Sequence, residues 1–435
     1  MSMRHTLTAL LLFAATAGYS QDTLQLSQVL QQGLEGNYGV VVGKLNQEVL
    51  NSNESYTWTN YAPEVTATGG INSSTQNVAL TFASGDVQNR NGASTLSTNA
   101  SAALTYRLFE GMGKGYRVET TQLTAQQGQA NLELLMENTL ADLMDAYYAL
   151  VVAQNQLSVL EANLELSEER VELAKAQYEV GKASKLEYLQ EQVDYNADRS
   201  QILSQQEAVS AAKIQLNVLM GLDPTTPAVA ALDIPLDTSL AYTDLQGALE
   251  DNPMLLAQQK ALELSAVAEQ QAKTGFYPTL DANVNYGYNY SDAEAGFVLQ
   301  NRSLGLNLGL TARWSLSGTL DAKRQRDAAL IQTEAVKANT ASIRLSLDAE
   351  LARVFAEYRN RIAILALEQE NVSVARENAD IALERYRVGK SNALQLREAQ
   401  RNQVEAESRL LNARYSIKVA ETELLRLTGQ LMSAE

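Results

Sequence analysis

The chain has 435 residues, with 34 Lys and Arg against 51 Asp and Glu, one His and no Cys. The single His, His5, lies in an N-terminal stretch that reads as cleavable, so the mature chain is expected to carry neither His nor Cys. This excludes imidazole acid–base catalysis, Ser–His and Cys–His nucleophiles, nearly all zinc sites and every disulfide; the net charge of −17 also argues against a nucleic-acid partner, which needs a basic footprint.

Residues 1–20 read as a secretory signal peptide. Arg4 supplies the positive end, Leu7 to Ala17 is apolar or small, and Gly18 and Ser20 suit cleavage before Gln21. The apolar run is too short to span a bilayer, and no later run approaches the length of a transmembrane helix. Export without Cys fits a periplasmic or outer membrane protein.

Beyond the signal the sequence is written twice. Tyr178-Glu-Val-Gly-Lys182 recurs as Tyr386-Arg-Val-Gly-Lys390, an offset of 208 residues that also carries Leu143 onto Leu351, Gln192 onto Gln400 and Gly221 onto Gly429. Upstream the offset is 215, carrying Asn37 onto Asn252 and Pro63 onto Pro278. The first half therefore holds seven extra residues between Pro63 and Leu143. The stretch Ser73–Ser94, rich in Ser, Thr, Asn and Gly, reads as a loop of variable length that would hold them. The first repeat spans residues 21–235 and the second 236–435.

In chain order, the first repeat offers two strands over about 64–108. Val65, Ala67, Gly69 and Ile71 line one face of the first, and alternate residues from Leu96 to Leu108 line one face of the second. A helical hairpin follows over about 116–220. It lacks Pro, is rich in Ala, Leu, Glu and Gln, and breaks near Gly181. Leu143, Leu150, Leu157, Leu164, Val171 and Tyr178 recur every seven residues, with Ala146, Ala153, Leu160, Ser167 and Ala174 three residues after the first five. That is a coiled-coil seam. A helix from Tyr116 to Tyr178 would be about 90–100 Å long. A linker with Pro224, Pro227 and Pro235 closes the repeat over 221–235.

The second repeat places strands over about 279–314. Leu280, Ala282, Val284, Tyr286, Tyr288 and Tyr290 alternate with Asp281, Asn283, Asn285, Gly287 and Asn289; Leu304 to Trp314 alternates just as cleanly. Its hairpin runs over about 321–428 and breaks near Gly389. One seam row is kept from Leu351 to Tyr386, while the other carries Arg361 and Glu368 and is less apolar.

The small, mostly uncharged polar face of the strands suits a wet lumen, with the apolar face toward lipid. Tyr61, Tyr106, Phe276, Tyr277 and Trp314 cluster at the strand ends near the helices, where an interfacial aromatic belt would sit. Four strands cannot close a barrel, and lipid tolerates no open sheet edge. The barrel must be shared among chains, in a number these residues leave open.

This pattern resembles the TolC-like outer membrane efflux proteins. The likeness rests on the duplication, on Tyr-x-Val-Gly at both hairpin tips, and on Leu-Met-Gly221 and Leu-Thr-Gly429 closing the return helices. The resemblance implies an α+β membrane protein with a duplicated helix–strand–strand–long helical hairpin. It implies a homotrimer whose shared 12-stranded β-barrel in the outer membrane continues as a periplasmic α-helical barrel. The implied function is a passive channel-tunnel for efflux or type I secretion, without enzymatic activity or cofactor. Its implied partners are outer membrane lipid, a periplasmic adaptor (membrane fusion) protein and an inner-membrane pump. The adaptor-contact tips would be Val180, Gly181 and Lys182 with Val388, Gly389 and Lys390, where Lys replaces the family's Leu.

A periplasmic gate is also implied. The family's two carboxylates follow the second tip glycine by six and nine residues, which here are Gln395 and Glu398, so one acid is kept. The six-residue position in the first half is Glu187, and Tyr178 and Tyr386 match latch positions. A ring of Glu398 would favour cations. The plainer role for these acids is a solvated helix face, and for the tyrosines seam packing.

Rival readings weaken on the same residues. Gly111-Met-Gly-Lys-Gly115 fails the dinucleotide fingerprint because Tyr116 takes the third Gly position, and Glu384 stands where a phosphate loop ending at Ser391 needs its first Gly. A structural trimeric coiled-coil surface protein without transport, the main alternative, leaves two hairpins unexplained. A carboxylate-pair hydrolase would need a compact α/β pattern that is absent.

Overall fold

The two strongly alternating segments of the second repeat and the two weaker ones of the first form a single antiparallel sheet. A computed structural model describes residues 23–432; the expected signal peptide lies outside them. The elements run α1 (Leu26–Gly36), α2 (Tyr38–Ser55), β1 (Glu64–Thr81), β2 (Val87–Phe109), α3 (Gly113–Glu179), α4 (Lys185–Leu219), α5 (Tyr242–Ala248), α6 (Pro253–Ala272), β3 (Thr279–Ala293), β4 (Gln300–Arg313), α7 (Gly318–Arg387) and α8 (Ala393–Leu427). Short 3-10 turns precede β1 at Thr57–Tyr61 and β3 at Lys273–Phe276. Among the described residues, no helix is long and apolar enough to cross a membrane.

The chain divides into two units. One holds residues 42–134 and 250–349, and with them the sheet. Its strand order is β1-β2-β3-β4. The register runs Val65 to Leu104 to Val284 to Leu308, and two residues on, Ala67 to Ala102 to Tyr286 to Leu306. All of these share one face, because side chains alternate along a strand. The opposite face carries Thr68, Ser101, Gly287 and Gly305 in one row and Gly70, Asn99, Asn289 and Ser303 in another. Along these rows one side is apolar and the other is built from hydroxyls, amides and glycine; nearer the helices the polar side also carries Glu64, Arg107, Asp281 and Arg313.

The first hairpin corrects one expectation. Ser73–Ser94 is no variable loop. β1 continues to Thr81, turns over residues 82–86 and returns as β2, with a bulge between Gln76 and Val78. Asn77 there faces two residues of β2, Asn91 and Gly92, and its side chain accepts a hydrogen bond from Gly92 N at 2.8 Å. Small polar residues read as loop in sequence, but the backbone ladder of a hairpin does not need apolar side chains to form. Glu64 opposite Thr105 and Thr279 opposite Arg313 show the first hairpin to be seven residues longer than the second.

In the same unit the short helices pack on the long ones. Leu50 of α2 lies against Gly128 of α3, and Gln47 Nε2 donates to Ala125 O at 3.0 Å. α6 touches both long helices. Gln127 Nε2 of α3 donates to Ala257 O at 3.4 Å, and Thr333 Oγ1 of α7 to Ser265 O at 3.4 Å. Asn252 caps α6 by accepting from Met254 N, and Pro253 takes the first helical position, where a missing N–H is harmless.

The other unit holds residues 23–41, 135–249 and 350–432 of the described chain. Its core joins Val29 and Leu30 of α1, Leu140, Leu143, Tyr147 and Leu150 of α3, and Leu216 of α4. The linker straps onto it. Leu24 pairs with Ala230 as an isolated parallel bridge, and Tyr147 Oη donates to Leu24 O at 3.0 Å. Of the seam rows, the second half is the better buried: Leu351, Tyr358, Leu365, Val372, Ala379 and Tyr386 are all buried. Arg361 in its polar row is satisfied by donating to Ser416 O at 2.6 Å.

Candidate functional site

Both hairpin tips are built alike. Gly181 and Gly389 have φ of 74° and 72°, a region that costs an L side chain about 1–2 kcal/mol. Gly181 N donates to Tyr178 O and Lys182 N to Gln177 O; Gly389 N donates to Tyr386 O and Lys390 N to Arg385 O. This paired pattern satisfies carbonyls that the helix end would otherwise orphan. It leaves Val180, Lys182, Val388 and Lys390 at the surface, with Val180, Lys182, Val388 and Lys390 all exposed.

The return helices start on different caps. Ser184 Oγ accepts from Glu187 N at 3.2 Å while Glu187 Oε2 accepts from Ser184 N at 3.1 Å, a capping box. Asn392 Oδ1 accepts from Gln395 N at 2.9 Å. Glu187 therefore has a local structural task, which its spacing from Ser184 would have revealed. Glu398 is exposed on α8, between Leu396 on one side and Ala399 and Gln400 on the other, all buried.

The two tip tyrosines differ. Tyr178 is 40 % exposed and stacks on Tyr188, with centroids 6.3 Å apart. Tyr386 is 7 % exposed. Burial pushes the Tyr386 phenol above its ordinary pKa; Glu191 and Glu187 add to the shift and Arg170 opposes it. A cleft of about 800 Å³ lies beside it, lined among others by Lys182, Leu186, Glu187, Tyr386, Leu394 and Arg397.

Below the tips lies a cluster that sequence reasoning missed. Arg170 of α3 is buried and donates through Nε to Glu191 of α4 at 2.9 Å, through Nη2 to Ser167 at 3.1 Å, and through Nη1 to Gln400 of α8. Ser167 in turn bonds Asp198 of α4. Two exposed or half-exposed pairs flank the cluster: Arg387 of α7 with Glu169 of α3 at 2.7 Å, and Arg397 of α8 with Asp194 of α4. The first hairpin is thus tied to the second by charge-assisted bonds. The one hint in the sequence is Ser167, a polar residue in an apolar seam row.

At the helix ends of the sheet, Tyr61, Tyr277 and Trp314 are exposed, while Tyr106 and Phe276 are half-buried. Tyr277 meets Phe109 edge-on at 6.4 Å. Lys114 Nζ lies 4.4 Å from the Tyr106 ring centroid and donates to Arg107 O at 2.7 Å. Rings with a polar rim and a cation beside them suit a membrane–water boundary.

A family model described as outer membrane efflux protein matches residues 29–222 and 245–430. The chain belongs to the outer membrane efflux protein family. No curated protein matches it. Solved structures of similar fold include CusC, described with its transmembrane channel formation, at 16 % identity and a TM-score of 0.78, covering 94 % of this chain and 92 % of that one. The Campylobacter jejuni CmeC outer membrane channel is 15 % identical with a TM-score of 0.76, covering 93 % and 85 %. The open state of the Neisseria gonorrhoeae MtrE outer membrane channel is 18 % identical with a TM-score of 0.72, covering 93 % and 88 %. This outer membrane efflux protein accordingly has the fold of solved outer membrane channels. Its family and fold neighbours are channels rather than catalysts.

Proposed function

We propose that the chain works as a homotrimer in which three four-stranded sheets close one 12-stranded barrel, continued by a periplasmic α-helical barrel. The observation that carries this reading is the sheet itself. Its apolar face suits lipid, its polar face suits water, and its two outer strands have open edges that lipid would not tolerate. The conduit is passive, performs no catalysis, and takes its energy from an inner-membrane pump reached through a periplasmic adaptor.

The tips supply the docking and gating parts. Val180, Gly181 and Lys182 with Val388, Gly389 and Lys390 form the adaptor contact. Tyr178 and Tyr386 latch the closed tip, and copies of Glu398 and Glu187 form an acidic constriction. Tyr61, Tyr106, Phe276, Tyr277 and Trp314 mark the inner boundary of the bilayer.

Single-channel recording in planar bilayers tests the conduit. Purified, folded protein is expected to conduct, and a Tyr386→Phe variant to conduct more often. Silence from both refutes the reading. Glu398→Ala is expected to move the reversal potential in a salt gradient toward lower cation preference, and an unchanged potential removes Glu398 from the constriction.

A further inference from the structure

The cleft between the two hairpin tips holds polar groups that the fold leaves without a partner. It encloses about 800 Å³, a size that takes drug-sized molecules. Tyr386 lines it and is almost fully buried, yet its hydroxyl makes no hydrogen bond among the described residues. Glu191 lines it too and is 2 % exposed; its Oε2 accepts from Arg170 Nε at 2.9 Å, while its Oε1 has no partner. Neither oxygen is sealed from water, so both open on the cleft that their residues line. One turn earlier on α4, Glu187 spends Oε2 on Ser184 N and leaves Oε1 free. Both carboxylates act on the Tyr386 phenol, which places the three groups together. Buried phenols and carboxylates in folded proteins are normally fully hydrogen-bonded, so this set is poised for something that donates.

The duplication shows which part of the cleft is specialised. At the 208-residue offset Leu186 becomes Leu394, and both line the cleft and are exposed. The acids are not repeated: Glu187 becomes Gln395 and Glu191 becomes Ala399. The apolar sides are therefore common to both halves, while the acceptors occur once per chain. Of the cations at the cleft, Arg397 is paired with Asp194, and Lys182 sits exposed on the tip turn. Among the described residues no group of three or more acids suits a metal ion. An ammonium, with three N–H donors, matches three free oxygens better than a bare ion does.

We propose that this cleft binds an amphipathic primary amine, its ammonium donating to Glu191 Oε1, Glu187 Oε1 and Tyr386 Oη and its apolar body lying along Leu186 and Leu394. The ligand neutralises the surplus negative charge left on the carboxylates and covers two exposed leucines, so head and body are both recognised. The cleft takes one wall from α3 and α4 and the other from α7 and α8. An occupant therefore ties the two hairpins of a chain together. A ligand that binds one arrangement better than another shifts the balance toward it. On the reading of the tips as a gate, on which this consequence alone rests, the amine holds the channel shut.

Isothermal titration calorimetry of the purified full chain with 1-naphthylmethylamine, corrected for detergent micelles alone, tests the site. The amine is expected to bind, and 1-naphthylmethanol, the same body without the charge, to bind about tenfold more weakly or worse. Glu187→Gln keeps the helix cap, since Gln also serves in a capping box, and Tyr386→Phe keeps the ring. Each is expected to weaken amine binding several-fold. Equal binding of amine and alcohol, or amine binding unchanged in both variants, overturns the site. Displacement of the amine by an equal concentration of Mg2+ marks a bare cation site and overturns it too. Planar-bilayer recording reads the consequence: the amine is expected to lower the opening frequency of the unaltered protein and to do so less in Glu187→Gln. Binding as expected with opening unchanged removes the gate from the tips and leaves the site standing.

Discussion

Arg170 and Glu191 form an ion pair from which water is almost wholly excluded, and this sets what their removal does. Breaking such a pair from one side leaves a buried charge without its partner, at a cost of about 3–5 kcal/mol, while replacing both by apolar groups is often nearly neutral. Glu191→Ala is therefore expected to lower thermal stability by that amount, and Arg170→Met with Glu191→Leu to recover most of it. Thermal unfolding of the purified proteins checks both. Tyr386 makes a second residue-scale prediction. Its phenol is pushed up by burial, so the folded tip favours the neutral form. That stabilisation is full below the ordinary tyrosine pKa of about 10 and is lost as pH climbs from there toward the raised value. Channel opening is expected to rise in this alkaline window and the rise to shrink in Tyr386→Phe, as recorded in planar bilayers across pH.

At the scale of elements, glycines of like backbone conformation carry different loads. Gly181 has a φ of 74° with no neighbour near its missing Cβ, so Gly181→Ala is expected to cost only the backbone strain of about 1–2 kcal/mol. Gly221 has a φ of 71°, and a Cβ there would overlap the carbonyl oxygen of Gly36. Gly221→Ala is expected to be clearly the more destabilising of the two in thermal unfolding. The elements themselves were legible because their periods are strong. Leu304 to Ala312 alternate without exception, and the seam from Leu351 to Tyr386 keeps its sevenfold spacing and is buried throughout. Ser73–Ser94 reads as loop because strand formation there rests on the backbone ladder, which leaves little mark on composition. The Arg170 cluster was illegible for a different reason. It depends on which faces of α3, α4 and α8 meet, and a linear spacing rule cannot report a contact between residues as distant as Arg170 and Gln400.

Across the whole molecule, the absence of His and Cys from the expected mature chain and the surplus of acids take on a physical sense. A passive conduit needs neither an imidazole nor a thiol. In the proposed barrel the apolar face of the sheet would be outer and the polar face inner, in the order Val65, Leu104, Val284 and Leu308 against Thr68, Ser101, Gly287 and Gly305, which would place the selective chemistry elsewhere. The charges of that polar face, Glu64, Arg107, Asp281 and Arg313, lie at its helix end, and the four-stranded rows beyond Thr68 carry none, so this stretch of the sheet is expected to discriminate little between ions. Converting Asn99 to Asp should then shift ion preference measurably, because it adds a charge to a neutral wall, and reversal potentials in a salt gradient read that shift directly.

The extra length of the first strand hairpin has an experimental use. Its turn, residues 82–86, closes through Phe82 N donating to Asp86 O at 2.8 Å and sits at the end of the sheet far from the helices. Lengthening such a turn costs only about 0.6 kcal/mol for each doubling of the loop. If the sheets form the proposed barrel, a short epitope grafted between Ser84 and Gly85 would ride on the cell exterior, turning the channel into a display scaffold that antibodies can count on living bacteria.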